Sequence, residues 1–567
     1  MGLSIYPEIV YHSRQEISPI RIQEKEEYMD ITLAVVNANV ITMNDHQQAE
    51  AFAVCNDRIA RVGTTEEILA LANPMTKIMD LNGKTVLPGF IDTHVHIVGY
   101  GFAFEAVDLL GVGSMKELIE RCKVYIEEHN VPEGTWVMGR GFDQNAFDDV
   151  EDFPTSRDLN TISEKHPILL IRTCGHIGIV NDMALEVTGV DRDTFIRGGS
   201  FDKYEDGTPN GVIREASLEW FKQQMAYARS VEDIKRAITT GSAMLNKFGI
   251  TSIHTEDTYD LGYSGSLEVL HEAYRELIVE GGLTQRIYEK ISLPRMENLK
   301  EFLEGPYRTA MGNDHFRIGP VKLWADGTIG AHTAYMLEDY SDLPDGGTGI
   351  AVYEDDEIRD IIEMTHKNGM QMCIHAIGDG ALKQVVDAYA DVLARYPDIP
   401  HRHRIVHCQI GNDELYKKLA ANNLTINIQP MQTETDYPLI EYRVGPDRVK
   451  RCHAWRSLID YGVTITGSSD VPCTNSLDAA DVFVGIDGVA NRAKWLPEEA
   501  VTVYEALEMY TVNAAYSAFE EDVKGSIEEG KFADFVIVSG NPLEEGITVK
   551  DIDVEQTFVG GVKVYEA

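Results

Sequence analysis

The residues of this chain that could do chemistry are histidines and acidic side chains near the ends of predicted strands. His94 and His96 lie two positions apart in the run GFIDTHVHI, so their side chains point to the same side and can reach one ion. An H-x-H pair alone is a weak signal, because it is equally compatible with two unrelated histidines. Further ionisable residues, however, lie near the carboxyl ends of other predicted strands. They are Lys322, His375, His407 and Asp470.

These side chains have the chemistry of a metal site. Imidazole nitrogen and carboxylate oxygen are ligands that zinc and similar divalent ions take, so we expect zinc, with one or two ions per chain. A lysine ammonium cannot ligate, but burial near cations favours the neutral amine, which can react with carbon dioxide to give a carbamate that bridges two metals. For Lys322 the alternatives are a strand-end lysine that snorkels to solvent or an ion pair with Asp326.

The elements that must position these residues are eight strand-like runs that alternate with amphipathic helical patterns. This alternation is typical of βα units and a parallel sheet. The sequence therefore predicts an α/β fold, a metal-dependent (β/α)8 TIM barrel with its active site at the carboxyl ends of the strands. The runs cover residues 89–97, 249–256, 286–293, 317–327, 369–379, 403–410, 424–430 and 463–470.

The remaining sequence predicts three further segments. Short β-rich runs punctuated by Asn, Asp and Gly occur near both ends and predict one composite β-sandwich from residues 29–88 plus 525–567. The barrel then takes 89–99 plus 246–524. Residues 100–245 separate the first two barrel runs by far more than a typical βα connection, so we interpret them as an inserted α+β lid or substrate domain. Residues 1–28 form an N-terminal extension.

Composition excludes several functions. With 50 Lys+Arg against 92 Asp+Glu, the formal net charge is −42, which opposes binding to nucleic acid or to anionic membranes and favours a small-molecule substrate. The seven cysteines are scattered without a C-x-x-C pair, so a disulfide framework is not expected and a reducing cytoplasm fits. A homodimer would be compatible with this fold.

Eight motifs lie between about Asp30 and the C-terminus: LPGFIDTHVH, GITSIHTE, VKLWADGTIG, CIHAIGDGA, RIVHCQI, INIQP, GSSDVP and GKFADFVIVSGNP. Together they resemble the amidohydrolase superfamily, specifically the amidohydrolase-3 group that includes N-substituted formamide deformylases and YtcJ-like hydrolases. This resemblance implies the same metal-binding barrel with a composite β-sandwich.

The resemblance also implies roles for the candidate ligands. His94, His96 and Asp470 would bind one metal, His375 and His407 a second, and Lys322, carbamylated, would bridge them. The second predicted strand ends in His254 and Glu256, where relatives more often carry His-Asp, and we expect these two to orient ligands. Substrate-side candidates, each with core packing or capping as the alternative, are His176, Trp324 and Gln429.

The constellation predicts metal-assisted hydrolysis of an amide or formamide-like C–N bond by an activated water, with Asp470 as the catalytic proton carrier. Two alternatives stay open. The same groups could hydrolyse an ester, lactone or cyclic amide, because a polarised carbonyl does not itself select nitrogen as the leaving group. A catalytically silent barrel scaffold is the alternative of another class, although such a scaffold need not retain six metal-suited side chains.

Overall fold

The computed structural model describes two compact units of the chain. The first contains the described residues up to Ile97 together with Ser242–Asp257 and Tyr274–Ala567, and the second contains the described residues of Val98–Gly241 and Thr258–Ala273. The described residues are 30–45, 47–150, 152–172, 177–196, 199–215, 217–218, 220–222, 229–261, 266–293, 296–474 and 476–567.

The first unit contains an eight-stranded parallel barrel. Each strand pairs with the next one in the sequence, and each of the eight predicted runs overlaps one strand, so the predicted fold class is confirmed. The strands are β1 (Phe90–Val95), β2 (Ile250–Thr255), β3 (Arg286–Ser292), β4 (Phe316–Trp324), β5 (Met372–Ala376), β6 (Arg404–His407), β7 (Thr425–Ile428) and β8 (Ile465–Gly467).

The barrel closes between β8 and β1 through bonds at and beyond the strand ends. The Asp470 N–H donates to the carbonyl oxygen of His94 at 2.8 Å, and the His96 N–H donates to that of Val471 at 3.0 Å. Lower in the barrel, the Thr93 hydroxyl donates to the carbonyl of Gly467 at 2.8 Å. These bonds set the distance between the first and last strands.

Helices connect the strands and cover the barrel. The helix Asp355–Lys367 is representative: its acidic first turn suits the positive end of the helix dipole, and its buried face carries isoleucines at helical spacing, among them Ile358, Ile361 and Ile362. The other helices that lie wholly in this unit are Thr65–Ala70, Met296–Glu304, Asp379–Arg395, Asp413–Ala421, Gln432–Thr435, Tyr437–Arg448, Trp455–Asp460, Val482–Ala490, Val503–Met509 and Val512–Ser517.

A β-sandwich in the same unit joins residues from both parts of the chain. The strand Phe535–Val538 pairs antiparallel with Thr85–Pro88, the strand that leads directly into β1. A buried bidentate ion pair from Arg286, at the start of β3, to Asp534 at 2.7 and 2.9 Å ties this sandwich to the barrel. One sheet contains Arg58–Gly63, Ala51–Cys55, Leu33–Val36 and Lys77–Asp80, and the other contains Val562–Glu566, Val554–Val559, Phe535–Val538, Thr85–Pro88, Asn39–Ile41 and Gln48–Ala49.

The second unit is an α+β domain around a six-stranded mixed sheet with a hydrophobic core on each face. It also takes in Thr258–Ala273, the segment after β2, which sequence spacing alone assigned to the barrel. Its strands are Gly199–Lys203, Pro209–Glu215, Ile177–Val180, Ile168–Arg172, Val137–Phe142 and Val107–Asp108, and helices wholly within it are Met115–Glu128, Ser156–Asn160 and Asp182–Thr188. Four helices extend across the limits of the two units: Ile97–Phe104, Val231–Lys247, Asp257–Asp260 and Ser266–Glu280.

Two further observations concern the described residues only. None of their helices combines the length and apolar character needed to cross a membrane. The six cysteines that they contain are all free thiols.

Candidate metal centre

The closure of the barrel places His94 and His96 beside Asp470. The Nε2 atoms of the two histidines lie 3.3 and 3.5 Å from the same carboxylate oxygen, Oδ1 of Asp470. All three side chains are buried, with 2%, 4% and 7% of their residue surface exposed. The H-x-H spacing on β1 and the backbone bonds to β8 therefore bring two imidazoles and one carboxylate to a single point.

Glu256, at the end of β2, adds a second carboxylate to this group. Its Oε2 lies 4.0 Å from Nε2 of His94 and accepts a hydrogen bond from the Lys322 Nζ at 2.7 Å, while Ser292 donates to Oε1 at 2.8 Å. The partner of Lys322 is thus Glu256 and not Asp326, the partner considered from the sequence. Trp324 lies under the same lysine, with its ring centroid 4.3 Å from Nζ.

His407, at the end of β6, is oriented by Gln429 at the end of β7. Gln429 Oε1 lies 2.7 Å from Nδ1 of His407, and Gln429 Nε2 donates to the Ser468 hydroxyl at 3.0 Å. That hydroxyl in turn donates to the Ile428 carbonyl at 2.7 Å. Because an amide oxygen can only accept, this chain of bonds assigns the hydrogen of His407 to Nδ1 and leaves Nε2 as the ligating nitrogen.

His375, on β5, lies beside this group but faces another partner. Its ring centroid is 4.4 Å from that of His407. Its Nε2, however, lies 3.1 Å from the Gly327 carbonyl and 3.3 Å from Oδ1 of Asp326. The structure therefore brings His375 to the rim without directing Nε2 at the other candidate ligands.

The donor atoms converge closely enough to hold a metal. Among the described residues, three groups of three offer ligand atoms that all lie within 4.8 Å of one another. The groups are His94, His96 and Glu256; His94, His407 and Asp470; and His96, Asp470 and Cys473. Imidazoles with carboxylates in this arrangement fit a divalent ion such as zinc.

The electrostatics of the site suit ligation. Burial and the nearby lysine ammonium groups hold the pKa of His94 well below its usual range, and burial lowers the pKa of His407 to about 3, so both rings are neutral at neutral pH. Burial alone would raise the pKa of Asp470 and Glu256. A hydrogen bond with an imidazole instead keeps the pKa of Asp470 below its usual range. The charge of Lys322 does the same for the pKa of Glu256.

The backbone is strained at the same place. His407, Cys408 and Asp470 adopt φ angles of +76°, +49° and +61°, in the left-handed region that side chains other than glycine rarely occupy. Such conformations persist only where the surrounding structure enforces them, and they concentrate at functional sites. The hydrogen bond from the Asp470 N–H to the carbonyl of His94 is one such constraint.

The sequence-predicted residues fall into three sets. The first set meets in the donor cluster: His94, His96, His407 and Asp470. The second lies beside that cluster without contributing a ligand atom to it: Lys322, Trp324, His375 and Gln429. His176 lies outside the described residues.

Sequence reasoning overlooked Lys290 and Asp92 and gave Glu256 only an orienting role. Lys290, on β3, is fully buried with its Nζ 2.5 Å from Nδ1 of His94, and burial lowers its pKa to about 8. Asp92 accepts hydrogen bonds from the backbone N–H groups of His94 and Ser469. The available signal for Lys290 was a charged residue inside the buried strand RIYEKIS.

Comparison with known proteins agrees with this geometry. The chain belongs to the amidohydrolase family, whose sequence model matches residues 77–565. It is 29% identical to YtcJ of Bacillus subtilis (strain 168), over 92% of this chain and 97% of that protein. It is 27% identical to the N-substituted formamide deformylase of Arthrobacter pascens, over 94% and 98%, and 27% identical to LONG AFTER FAR-RED 3 of Arabidopsis thaliana, over 94% and 91%.

A solved structure shares the fold. An uncharacterised metal-dependent hydrolase from Pyrococcus furiosus matches with a TM-score of 0.76 and 29% identity, over 90% of this chain and 100% of that chain. Family membership and this likeness together make the chain an amidohydrolase-family hydrolase with candidate metal-binding groups.

The contact between Gln429 and His407 makes a prediction about metal affinity. Gln429→Leu removes the acceptor that orients the His407 ring, and loss of such a partner typically weakens metal binding about 10- to 100-fold. Competition for zinc against a chromophoric chelator measures the change. Gln556→Leu, in the sandwich strand Val554–Val559, is the matched control. Equal zinc affinity in the wild type and both variants would show that Gln429 does not orient a ligand.

Proposed function

We propose that this chain is a metal-dependent amidohydrolase that cleaves the carbon–nitrogen bond of an amide or formamide-like small molecule by activating water. The observation that carries the proposal is the convergence of imidazole and carboxylate donors at the carboxyl ends of the barrel strands, the place where this architecture carries its active sites. The proposed ligands are His94, His96, Glu256, His407 and Asp470, with His375 as an additional candidate.

The chemistry divides between the metal and the protein. A divalent ion, for which zinc is the proposed identity, lowers the pKa of water from 15.7 toward about 7 and polarises a carbonyl when bound at such a site. Asp470 is the proton carrier: its carboxylate accepts the proton of the attacking water and delivers it to the leaving nitrogen. A pKa below the usual range keeps Asp470 ready to accept, and its hydrogen-bonded backbone fixes its position.

Neighbouring residues hold the reacting groups in place. Gln429 keeps the His407 ring oriented, and Lys322 keeps the Glu256 carboxylate beside His94. The Trp324 ring packs against the Lys322 ammonium group, with Nζ 4.3 Å from the ring centroid. These contacts support a preorganised site whose groups need little rearrangement to react.

The choice of a C–N bond rests on the relatives. The family name and the resemblance to an N-substituted formamide deformylase over nearly the whole chain support an amide-type substrate. Hydrolysis of an ester or lactone needs the same polarised carbonyl, so leaving-group preference must be measured directly.

Pairs of N-substituted formamides and the matching formate esters separate these reactions, because only the leaving atom differs. We expect formate release from the formamides, loss of that activity when a chelator removes the metal, and its return with added zinc. Release from the esters alone would favour the ester hydrolase. If a fully metal-loaded protein releases formate from neither class, the formamide proposal fails.

The state of Lys322 decides between one and two ions. Its 2.7 Å contact with Glu256 supports a role as the ion-pair partner of that carboxylate, which we propose together with one ion per chain. The alternative is a carbamylated Lys322 that bridges two ions.

Metal content measured after loading with and without bicarbonate tests this proposal. We expect about one equivalent of metal per chain under both conditions. We also expect the mass of the intact protein to show no carbon dioxide bound to it. Two equivalents that depend on bicarbonate would establish the bridging carbamate instead.

Asp470→Asn tests the proton carrier. The amide retains an oxygen for the metal but cannot accept and return the proton, so we expect most of the metal to remain and kcat to fall by about 10²- to 10⁴-fold. Asp478→Asn changes an exposed residue of the short 3-10 helix Leu477–Ala480; it is the control and should leave kcat unchanged. An Asp470→Asn variant with full turnover would remove this residue from the proposed role.

A further inference from the structure

A second cluster of buried polar side chains lies apart from the proposed metal ligands. His453, Arg492 and Trp495 have 1%, 2% and 6% of their surface exposed. The rings of His453 and Trp495 lie 5.3 Å apart between centroids, and the guanidinium carbon of Arg492 lies 5.1 Å from the Trp495 ring centroid. The three side chains are therefore neighbours in one buried cluster.

Two segments bring the cluster together at the carboxyl end of the barrel. The backbone N–H of His453 donates to the carbonyl of Gln409 at 2.8 Å, two residues beyond His407. Arg492 follows the helix Val482–Ala490. In that helix, Gly488 packs so tightly on the Pro430 carbonyl at the end of β7 that a Cβ would lie 2.9 Å from its oxygen.

The loop after this helix turns selected side chains inward. Arg492 and Trp495 are buried, whereas Lys494 between them is exposed. Leu496, directly after Trp495, adopts the left-handed region with φ +47° and ψ +61°. A strained backbone at a residue other than glycine requires enforcement by the structure around it, and here it accompanies the burial of the indole.

The hydrogen bonds of Arg492 leave one edge of its guanidinium unused. Nη1 donates to the carbonyl oxygens of His453 and Glu499, at 2.6 and 3.3 Å. Nε and Nη2 have no hydrogen-bond partner among the described residues. Glu499 and Glu498 act on the guanidinium through their charges at longer range. The carboxylate of Glu499 is taken by Ser457, through its backbone N–H at 2.9 Å and its hydroxyl at 2.5 Å.

The other two side chains repeat this pattern. Nε1 of Trp495 and both ring nitrogens of His453 also lack partners within the described part of the chain. Burial lowers the pKa of Arg492 to about 10, which leaves it charged at neutral pH. A buried cation that is near Glu499 and Glu498 but makes no direct ion pair with a described residue, next to unpaired N–H donors, is costly, and native structures satisfy nearly all such groups.

The unused groups are mainly donors. The Nε–Nη2 edge is the side of arginine that binds an anion through two parallel hydrogen bonds, and the indole and imidazole N–H groups add further donors. We propose that Arg492, His453 and Trp495 bind a small inorganic anion, such as chloride or nitrate, inside the folded chain. The near-complete burial of all three side chains limits the occupant to a small one. The site is distinct from the proposed catalytic reaction and does not depend on it.

Thermal stability under matched salts tests the site. Because a chain of net charge −42 is stabilised by any salt through screening, chloride is compared with gluconate, an anion too large for the site, at equal sodium concentration. In the metal-loaded protein we expect Tm to be higher in chloride and to saturate with its concentration, since a ligand that binds only the folded state stabilises it by mass action. Equal Tm values in the two salts would overturn the proposal.

Three variants localise the effect. Trp495→Phe keeps an aromatic ring but loses one donor, so the chloride-dependent rise in Tm should shrink, and Arg492→Gln should abolish it. Lys494→Gln removes the same charge from the same loop on its exposed side and should retain the full rise. A rise that survives unchanged in Trp495→Phe and in Arg492→Gln would place chloride elsewhere.

Crystals grown in bromide give a direct measurement that does not depend on variant stability. We expect an anomalous difference peak within hydrogen-bond distance of Nε and Nη2 of Arg492. Ordered water at that position without an anomalous signal would overturn the proposal.

Discussion

Charges buried inside the barrel must neutralise one another, and the arrangement of the metal centre follows from this constraint. Asp92, Glu256 and Asp470 share the interior with the fully buried Lys290 and Lys322. A buried ion without a partner costs several kcal/mol, so the stable positions of these side chains are those in which opposite charges and hydrogen bonds meet. The cluster of imidazole and carboxylate donors is the part of this network that a metal cation can complete.

The neighbours that orient the donors belong to the same network. Gln429 and Ser468 assign the His407 hydrogen to Nδ1, and Lys322 holds the Glu256 carboxylate. A ligating residue in this barrel is therefore defined as much by its neighbour on the next strand as by its own type. In many barrels of this architecture, branched aliphatic residues fill the interior. The need for neighbours that orient the donors explains why so many polar side chains are buried in this one.

The sequence was sufficient for the architecture because strand and helix periodicity are local properties. It was also sufficient to single out His94 and His96, because these two histidines are two residues apart in the same predicted strand. Contacts such as Lys290 with His94 and Lys322 with Glu256 depend on the register between strands far apart in the chain, which periodicity does not encode. The cluster around Arg492 is harder still to foresee, since Trp495 and His453 come from loops on either side of β8.

The closure of the barrel has a consequence for how the chain is made. Thr93 on the first strand bonds to Gly467 across a sequence separation of 374 residues, and the strand that precedes β1 pairs with Phe535–Val538. At ribosomal rates, on the order of tens of seconds pass between the synthesis of these partners. Throughout that interval the edge of β1 that faces β8 is unpaired, and the strand carries two metal-suited histidines. We therefore expect nascent chains of this protein to need chaperone protection until their last third has emerged.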